Sequence, residues 1–244
     1  MKIFFIVFIY LLPQEVWATT LTDLTYTTEE YPPLNYIEKG KVKGLAVDLL
    51  KLVWKDLDIP EQKIYLMPWA RAYYDIQHKA NLALFSTSKT KERLPLFQWA
   101  CPIFNTNYAL YALRSKKIKI NSTNELKNYQ IGTIRFDAAE QILMNEYNIK
   151  LNVVSNVSKA ANLKMLKKDR IQLFAFHTAG ANQLFTANGY EPKEFELVYS
   201  LMEFETCFAF SRNIDPELIR TFQTALSNIV RSDLYLQLLK KYEL

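Results

Sequence analysis

The amino-acid sequence predicts an α/β protein with two lobes, each a mainly parallel sheet flanked by helices. Short apolar segments typical of buried strands alternate with longer segments whose apolar residues recur at helical spacing. This alternation occurs twice, and a strand-like segment followed by two helical segments remains at the C-terminus. Because strand–helix–strand units form parallel sheets covered by helices, we expect one lobe from each alternation, with the C-terminal segment returning to the first.

The first alternation covers residues 21–85. Strands are predicted at 21–27, 63–67 and 81–85, and Pro32 and Pro33 exclude a central strand after the first of them. A helix is predicted over residues 47–57, with Asp48 near its N-terminus, where a carboxylate is favourable. A second helix is predicted from Pro68, since the first turn of a helix tolerates proline.

The second alternation and the C-terminal segment complete the predicted order. The predicted strands are residues 108–113, 130–134, 151–154, 171–176 and, in the C-terminal segment, 207–210. One short helix is predicted to begin at residue 123, and further helices are predicted over 138–147, 159–167, 216–230 and 232–242. Ser232 is the expected N-cap of the last helix.

The N-terminus has the pattern of a secretory signal peptide. Lys2 precedes an apolar run over residues 3–12, and Val16-Trp17-Ala18 then ends on a small residue. The run is shorter than the roughly 20 residues of a membrane span, with an uncleaved anchor as the alternative. We expect residues 1–18 to be removed, leaving about 226 residues that start at Thr19 and act in the periplasm.

Charge and the content of cysteine and histidine limit the possible partners and cofactors. The net charge is +5, and the Lys-Lys pairs at 116–117 and 167–168 are not interleaved with aromatic residues, so nucleic acid is not an expected partner. The two histidines and two cysteines show no metal-ligand spacing, and no metal or cofactor is expected. Cys101 and Cys207 would form a disulfide in an oxidising compartment and stay free thiols in the cytosol.

The most informative segment is residues 82–102. An apolar run ends in Ser86-Thr87-Ser88, and the turn Thr90-Lys91-Glu92-Arg93 follows. Hydroxyl and backbone N–H groups at a strand end, with a guanidinium nearby, are the groups that hold a small carboxylate. The local motif alone fits an exposed helical arginine equally well.

The order and spacing of several motifs resemble family 3 of the periplasmic solute-binding proteins, the amino-acid-type receptors of ABC importers. The motifs are Tyr31-Pro32-Pro33-x-x-Tyr36, Gly44 with Asp48-Leu49-Leu50, Pro68-Trp69-x-Arg71-Ala72, Thr90-Lys91-Glu92-Arg93, Trp99-x-x-Pro102, and residues 126–132 and 238–242. The resemblance covers essentially the whole mature chain, and its Pro-Trp-x-Arg motif is similar to a branch whose ligands are poorly defined.

The resemblance implies a type II periplasmic-binding-protein-like fold whose lobes close on a ligand between them. The implied first lobe is residues 19–102 together with 208–244, and the second is residues 108–202. The implied hinge strands cross at residues 103–107 and 203–207. In the family register Cys101 and Cys207 flank these crossings, which implies that they are bonded.

The resemblance also implies a set of ligand contacts. Tyr31 and Trp69 match aromatic residues that sandwich the ligand, and core packing is the alternative for both. Ser86 and Ser88 match residues that bond the ligand, whereas Thr87 between them is expected to point to the other side of the strand. Arg93 matches the arginine that binds the ligand carboxylate.

In the second lobe, Arg135 follows a predicted strand where relatives place a basic residue or a ligand-facing turn, and an exposed position is the alternative. The sequence departs from the family at His177, where amino-acid-binding relatives usually carry an acid that neutralises the ligand ammonium. Glu29 or Glu30 is then the candidate for the missing charge.

The leading functional hypothesis is a monomeric binding protein that captures a small polar or anionic, amino-acid-like solute for a membrane permease. One alternative is a dehydratase-like enzyme on the same fold, but no nucleophile motif or acid–base pair stands out beyond His177 with Asp137 or Glu29, so no catalytic residue is expected. The other alternative is a ligand-sensing module that acts through a separate membrane receptor.

Overall fold

The computed structural model describes residues 20–244, so the predicted signal peptide and its cleavage site lie outside the described residues. The strands, in chain order, are β1 (Thr25–Thr28), β2 (Tyr36–Glu38), β3 (Lys41–Lys43), β4 (Ile64–Leu66), β5 (Leu82–Ser88), β6 (Gln98–Leu113), β7 (Ile131–Ile134), β8 (Val153–Asn156), β9 (Leu173–His177) and β10 (Phe195–Phe210). The α-helices are α1 (Leu45–Asp56), α2 (Trp69–His78), α3 (Ala138–Gln141), α4 (Lys159–Lys167), α5 (Ala181–Ala187), α6 (Pro216–Val230) and α7 (Asp233–Lys241).

Eight strands form one sheet, in the order β4-β1-β5-β10-β6-β9-β7-β8, and β2 and β3 form a separate hairpin. The outer strands are parallel: β1 pairs with β4 and β5, and β7 pairs with β8 and β9. The two long central strands, β6 and β10, pair antiparallel with each other and continue through both halves. The predicted mainly parallel α/β architecture is therefore confirmed.

Two sets of buried side chains define the lobes. The first core packs β1, β5, α1 and α6 together and includes Ile103 and Phe208 from the long central strands. A second region, with its own apolar clusters on the two faces of β9, begins at Tyr108 and extends to Leu201. We call these regions the first and the second lobe.

The C-terminal segment packs against α1 of the first lobe. Asp48 in the first turn of α1 accepts hydrogen bonds from Lys241 Nζ at 2.6 Å and from the Tyr242 hydroxyl at 2.7 Å. These bonds hold the end of α7 against α1. Ser232 occupies the N-cap position of α7, but its hydroxyl donates back to the Ile229 carbonyl instead of capping the helix.

The predicted strands at 108–113 and 207–210 are only the ends of β6 and β10. The sequence suggests a break because Pro102 has no N–H to give to a sheet. The structure accommodates it at an irregularity: the pairing register with β10 shifts between Thr206 and Phe208, and the Cys101 N–H donates to Gln223 Oε1 instead of to a strand. A bulge of this kind lets a strand continue past a proline.

Several further predicted elements differ in their bounds, and two of them show why. The helix predicted over 138–147 is a short α3 that continues as a π-helical turn at Ile142–Glu146. The strand predicted over 151–154 is β8, which begins only at Val153. Leu151 lies in the preceding turn and is 96% exposed. Apolar character alone placed Leu151 in the strand.

Cys101 and Cys207 form a disulfide between β6 and β10, with a sequence separation of 106 residues. The predicted pairing is confirmed. Within residues 20–244, no helix combines the length and the apolar character needed to cross a bilayer.

Candidate ligand-binding site

The candidate site lies between the lobes, where the ends of β1 and β5 in the first lobe face the ends of β7 and β9 in the second. Parallel strands bring the residues at their carboxyl ends to one edge of a sheet, which is where open α/β sheets bind ligands. The chain places hydroxyl, aromatic and charged residues directly after these strands. The side chains of the site therefore come from both lobes.

Arg93 is the central cation of the site and is only 1% exposed. Its Nη1 donates to the Ser88 carbonyl at 3.0 Å, and its Nη2 donates across the cleft to the Phe136 carbonyl at 2.7 Å. Within residues 20–244, its Nε has no hydrogen-bond partner. In the described part of the chain, Arg93 forms hydrogen bonds to these two carbonyls but no salt bridge to a carboxylate. The guanidinium is thus a buried charge that lacks a bonded anion.

The guanidinium lies over two aromatic rings of α2. Its central carbon is 4.9 Å from the Trp69 ring centroid and 5.1 Å from that of Tyr73, within the range of cation–π attraction. The two rings stack with centroids 5.4 Å apart. Trp69 is buried, and its Nε1 has no hydrogen-bond partner. These contacts orient the Arg93 fork toward the cleft.

The serines of β5 contact side chains on either side of the cleft. The Ser86 hydroxyl donates to Asn35 Oδ1, and Ser88 Oγ lies 3.1 Å from the Tyr108 hydroxyl. Thr87 bonds back to the Leu84 carbonyl, away from both serines' partners. Ser86 has a positive φ of 59°, and the pairing of β5 with β10 is irregular beside it, so strand alternation does not set the direction of its side chain.

Asp137 is a buried acid close to this cluster. Its Oδ1 accepts from the Tyr108 hydroxyl at 3.2 Å and from the Ala138 N–H at 2.7 Å, which makes it the N-cap of α3. Burial raises the pKa of Asp137 to about 6, and the negative charge of Glu29 adds to this rise. The positive charge of Arg93 acts in the opposite direction on that pKa.

Tyr31 and His177 meet across the cleft, with ring centroids 3.7 Å apart. His177 Nδ1 accepts from the Gly180 N–H at 3.1 Å, so the proton of the neutral ring is on Nε2, which has no hydrogen-bond partner among the described residues. Burial lowers the pKa of His177 well below its usual value, and the nearby charge of Lys159 adds to this effect. His177 is therefore neutral at pH 7.

Glu29 pairs with Lys159, an ion pair that joins the two lobes at 2.8 Å. The Glu29 side chain is 13% exposed and that of Lys159 is 20% exposed. A cavity of about 350 Å³ opens beside this pair, near the lower end of the volume range of small-molecule sites. Leu66, Met67, Trp69, Ile134 and Val157 form its apolar walls.

Residues 24–244 match the family of bacterial extracellular solute-binding proteins, family 3. The chain belongs to this family. A curated relative, the probable histidine-binding protein of Campylobacter jejuni, is 25% identical over 240 residues, which cover 93% of this chain and 86% of the relative.

Solved structures show the same fold. A histidine kinase sensor domain with similarity to periplasmic binding proteins matches with a TM-score of 0.79 and 16% identity, over 91% of this chain and 96% of that one. The arginine-, lysine- and histidine-binding protein ArtJ of Geobacillus stearothermophilus matches with a TM-score of 0.76 and 18% identity, over 90% of this chain and 94% of that one. The predicted two-lobed fold is thereby confirmed for this solute-binding protein.

The structure of the solute-binding protein brings most of the predicted site residues together. Those that lie in or beside the cleft are Glu29, Tyr31, Trp69, Ser86, Ser88, Arg93 and His177. The Arg135 side chain is exposed, and its backbone N–H pairs with the Asn156 carbonyl. The residue just after it, Phe136, supplies the carbonyl that contacts Arg93.

Tyr108 and Lys159 were not predicted as site residues, and Asp137 was named only as a possible acid–base partner of His177. Tyr108 and Asp137 form the hydroxyl–carboxylate contact beside Ser88, and Lys159 pairs with Glu29. Asp137 and Lys159 each lie shortly after a second-lobe strand, so their positions at strand ends were the available signal. Their charge alone did not distinguish them from exposed residues.

Proposed function

We propose that this solute-binding protein works outside the cytoplasm, as a monomer that captures a small solute carrying a carboxylate between its lobes. It then delivers the solute to the membrane permease of an ABC importer. Membership of the family supports the binding role. The names of the similar proteins, a probable histidine-binding protein and ArtJ among them, support an amino-acid-like solute.

The observation that carries the proposal is the buried, unpaired charge of Arg93. A buried guanidinium that lacks a bonded anion is costly, and a carboxylate is its best-matched planar partner. The free Nε of Arg93 and its inter-lobe bond to the Phe136 carbonyl put the donors where a solute meets both lobes. A carboxylate would replace the Phe136 carbonyl as the acceptor.

Closure of the lobes on the solute is part of this proposal. The long strands β6 and β10 run between the two cores, and within their segments 103–107 and 203–207 residues 104–107 pair with residues 203–206. These segments are the proposed hinges. A solute that contacts both lobes binds the closed form more tightly and so shifts the protein toward it.

We propose that the site binds its solute without carrying out a chemical reaction on it. His177 accepts a hydrogen bond from the Gly180 N–H, and in the part of the chain that the structure describes no carboxylate bonds to its ring to orient it as a general base. Asp137 is engaged with Tyr108 and with the start of α3. Neither group has the base–orienter contact that acid–base catalysis relies on.

A thermal-shift screen of the wild-type protein tests the proposal. The panel pairs each amino acid or organic acid with its carboxamide or amine analogue, so that the members of a pair differ in the carboxylate. We expect stabilisation only by compounds with a carboxylate, since a ligand that binds the folded state raises its stability by RT ln(1 + [L]/Kd). Stabilisation by carboxamides equal to that by their parent acids would contradict it.

A further inference from the structure

An ammonium group already lies inside the cleft of the described structure, and it belongs to the protein itself. The Nζ of Lys159 lies 2.8 Å from Glu29 Oε2 and donates to the carbonyl oxygen of Glu30. It is also 5.9 Å from the ring centroid of Tyr31 and 5.5 Å from that of Phe176. We call these four surrounding groups the ammonium cage.

The cage has the chemistry that recognises an alkylammonium ion. A carboxylate and a carbonyl accept its N–H bonds, and aromatic faces within about 6 Å attract its charge. Glu29, Glu30 and Tyr31 are consecutive residues of the first lobe, and Phe176 and Lys159 come from the second. Lys159 therefore binds the opposite lobe in the manner of a ligand.

Only another cation can replace the Lys159 ammonium without creating an unpaired charge. A neutral solute group would leave the Glu29 carboxylate, which is 13% exposed, without its partner. An anionic group would be repelled by that carboxylate. Exchange of one ammonium for another keeps the charge balance of the cage, and an unpaired buried charge is the main cost that such sites avoid.

The cavity beside the cage gives a solute access to it. Glu29, Glu30 and Lys159 all line this cavity of about 350 Å³, together with Trp69. Lys159 lies in the first turn of α4 and its side chain is 20% exposed, so its flexible stem can turn outward to solvent. The Trp69 ring is shared between the cavity and the Arg93 guanidinium.

We propose that Lys159 is an internal occupant of an ammonium-binding subsite, and that a solute carrying a primary ammonium binds by displacing it. In the described conformation, the Lys159–Glu29 contact joins the two lobes. The proposal rests on the proposed function and narrows its solute class: the carboxylate binds Arg93 and the ammonium binds the cage. It also supplies a carboxylate for the solute ammonium, in place of the acid that relatives usually carry at the position of His177.

A chemical-rescue experiment tests the ammonium subsite with a probe that carries no carboxylate. The variant Lys159→Ala removes the internal occupant, and n-propylammonium chloride is titrated while the unfolding temperature is measured. Lys164→Ala is the matched control, because Lys164 is an exposed lysine on the same helix. Sodium chloride at equal ionic strength and n-propanol separate the effect of the ammonium from those of salt and of the propyl chain.

We expect n-propylammonium to raise the unfolding temperature of Lys159→Ala saturably, with an apparent affinity at least about tenfold above that of the wild type or of Lys164→Ala. The wild type should bind n-propylammonium weakly, because its own Lys159 competes for the cage at a high effective concentration. Equal responses in all three proteins, or an equal effect of n-propanol, would overturn the proposal. If Lys159→Ala does not fold, Lys159→Ser replaces it in the same titration with the same expected result, since serine suits a first helical turn.

The outcome separates the two proposals. A saturable rescue with no carboxylate-bearing solute found in the screen would establish the cage and remove the proposed function. A failed rescue beside a solute that depends on Arg93 would leave the proposed function and remove the cage.

Discussion

The ring of Tyr31 lies against the imidazole of His177, with 3.7 Å between the centroids, and the two residues come from opposite lobes. Both were expected to contact a ligand, and in this arrangement they contact each other. The described conformation is therefore one in which the lobes have met. Its inter-lobe contacts give specific predictions about closure, pH and solute binding.

Gly180 provides a test of closure. It lies in the second lobe, and a Cβ added there would overlap the carbonyl oxygen of Pro32 in the first lobe and the ring of His177. We expect Gly180→Ala to hold the lobes apart, so that the radius of gyration from small-angle scattering increases and solute affinity falls at least about tenfold. Unchanged scattering profiles together with unchanged affinity would contradict this.

His177 should make stability depend on pH. Because the pKa of His177 is lowered in the folded protein, the unfolded chain takes up the proton first as pH falls through its usual pKa of about 6.5. The free energy of unfolding of the wild type should therefore decrease below that pH. That of His177→Asn, whose side chain keeps an acceptor for the Gly180 N–H, should not. Thermal melts of both proteins between pH 8 and 5 should show their difference shrinking in acid.

Asp137 should have the opposite pH dependence. Its pKa is raised from 3.8 to about 6, so its ionised form destabilises the fold above pH 6 and its protonated form does not. Asp137→Asn keeps the acceptor for Tyr108 and for the α3 N-terminus while removing the charge. We expect a gain of about 1 to 3 kcal/mol at pH 8 that disappears toward pH 4, measured by denaturant unfolding. A loss of stability at pH 8 would show that the charge is needed.

Asp137 should also make the affinity for the solute depend on pH. A solute carboxylate placed on Arg93 adds a negative charge near Asp137, which favours its protonated form. Affinity for an organic anion should therefore rise as pH falls from 8 to 6 in the wild type and stay constant in Asp137→Asn. Calorimetry at the two pH values measures this, and a flat wild-type profile would contradict the link.

The disulfide should contribute to stability through the unfolded chain. Cys101 and Cys207 are separated by 106 residues, and the chain-entropy account gives about 4 to 5 kcal/mol for a loop of this length, as an upper figure. Replacing both cysteines with serine should lower the free energy of unfolding by about 2 to 5 kcal/mol. Denaturant titration measures the loss, and reduction of the wild type should reproduce it; no change in either case would contradict the expectation.

The sequence predicted most of the strand–helix order, because apolar periodicity reports burial, which is a local property, but it missed the β2–β3 hairpin and α5. It located Arg93 by a motif and by family resemblance, but it gave no partner for Glu29, because Lys159 lies 130 positions away. Whether Arg135 or Asp137 turns inward depends on the bend after β7, where Phe136 has a positive φ of 63°. That backbone conformation is rare for phenylalanine, and nothing in its side chain announces it.

The central claim is that Arg93 binds the solute carboxylate, and one calorimetric comparison tests it directly. The carboxylate that gives the largest thermal shift is titrated into the wild type, Arg93→Gln and Arg71→Gln. The Arg71 side chain lies on α2 of the same lobe and is 72% exposed, so it serves as the matched control. We expect Arg71→Gln to bind as the wild type does and Arg93→Gln to lose about 2 to 5 kcal/mol of binding free energy. An Arg93→Gln protein that binds within about threefold of the wild type, a difference of about 0.7 kcal/mol, would contradict the account.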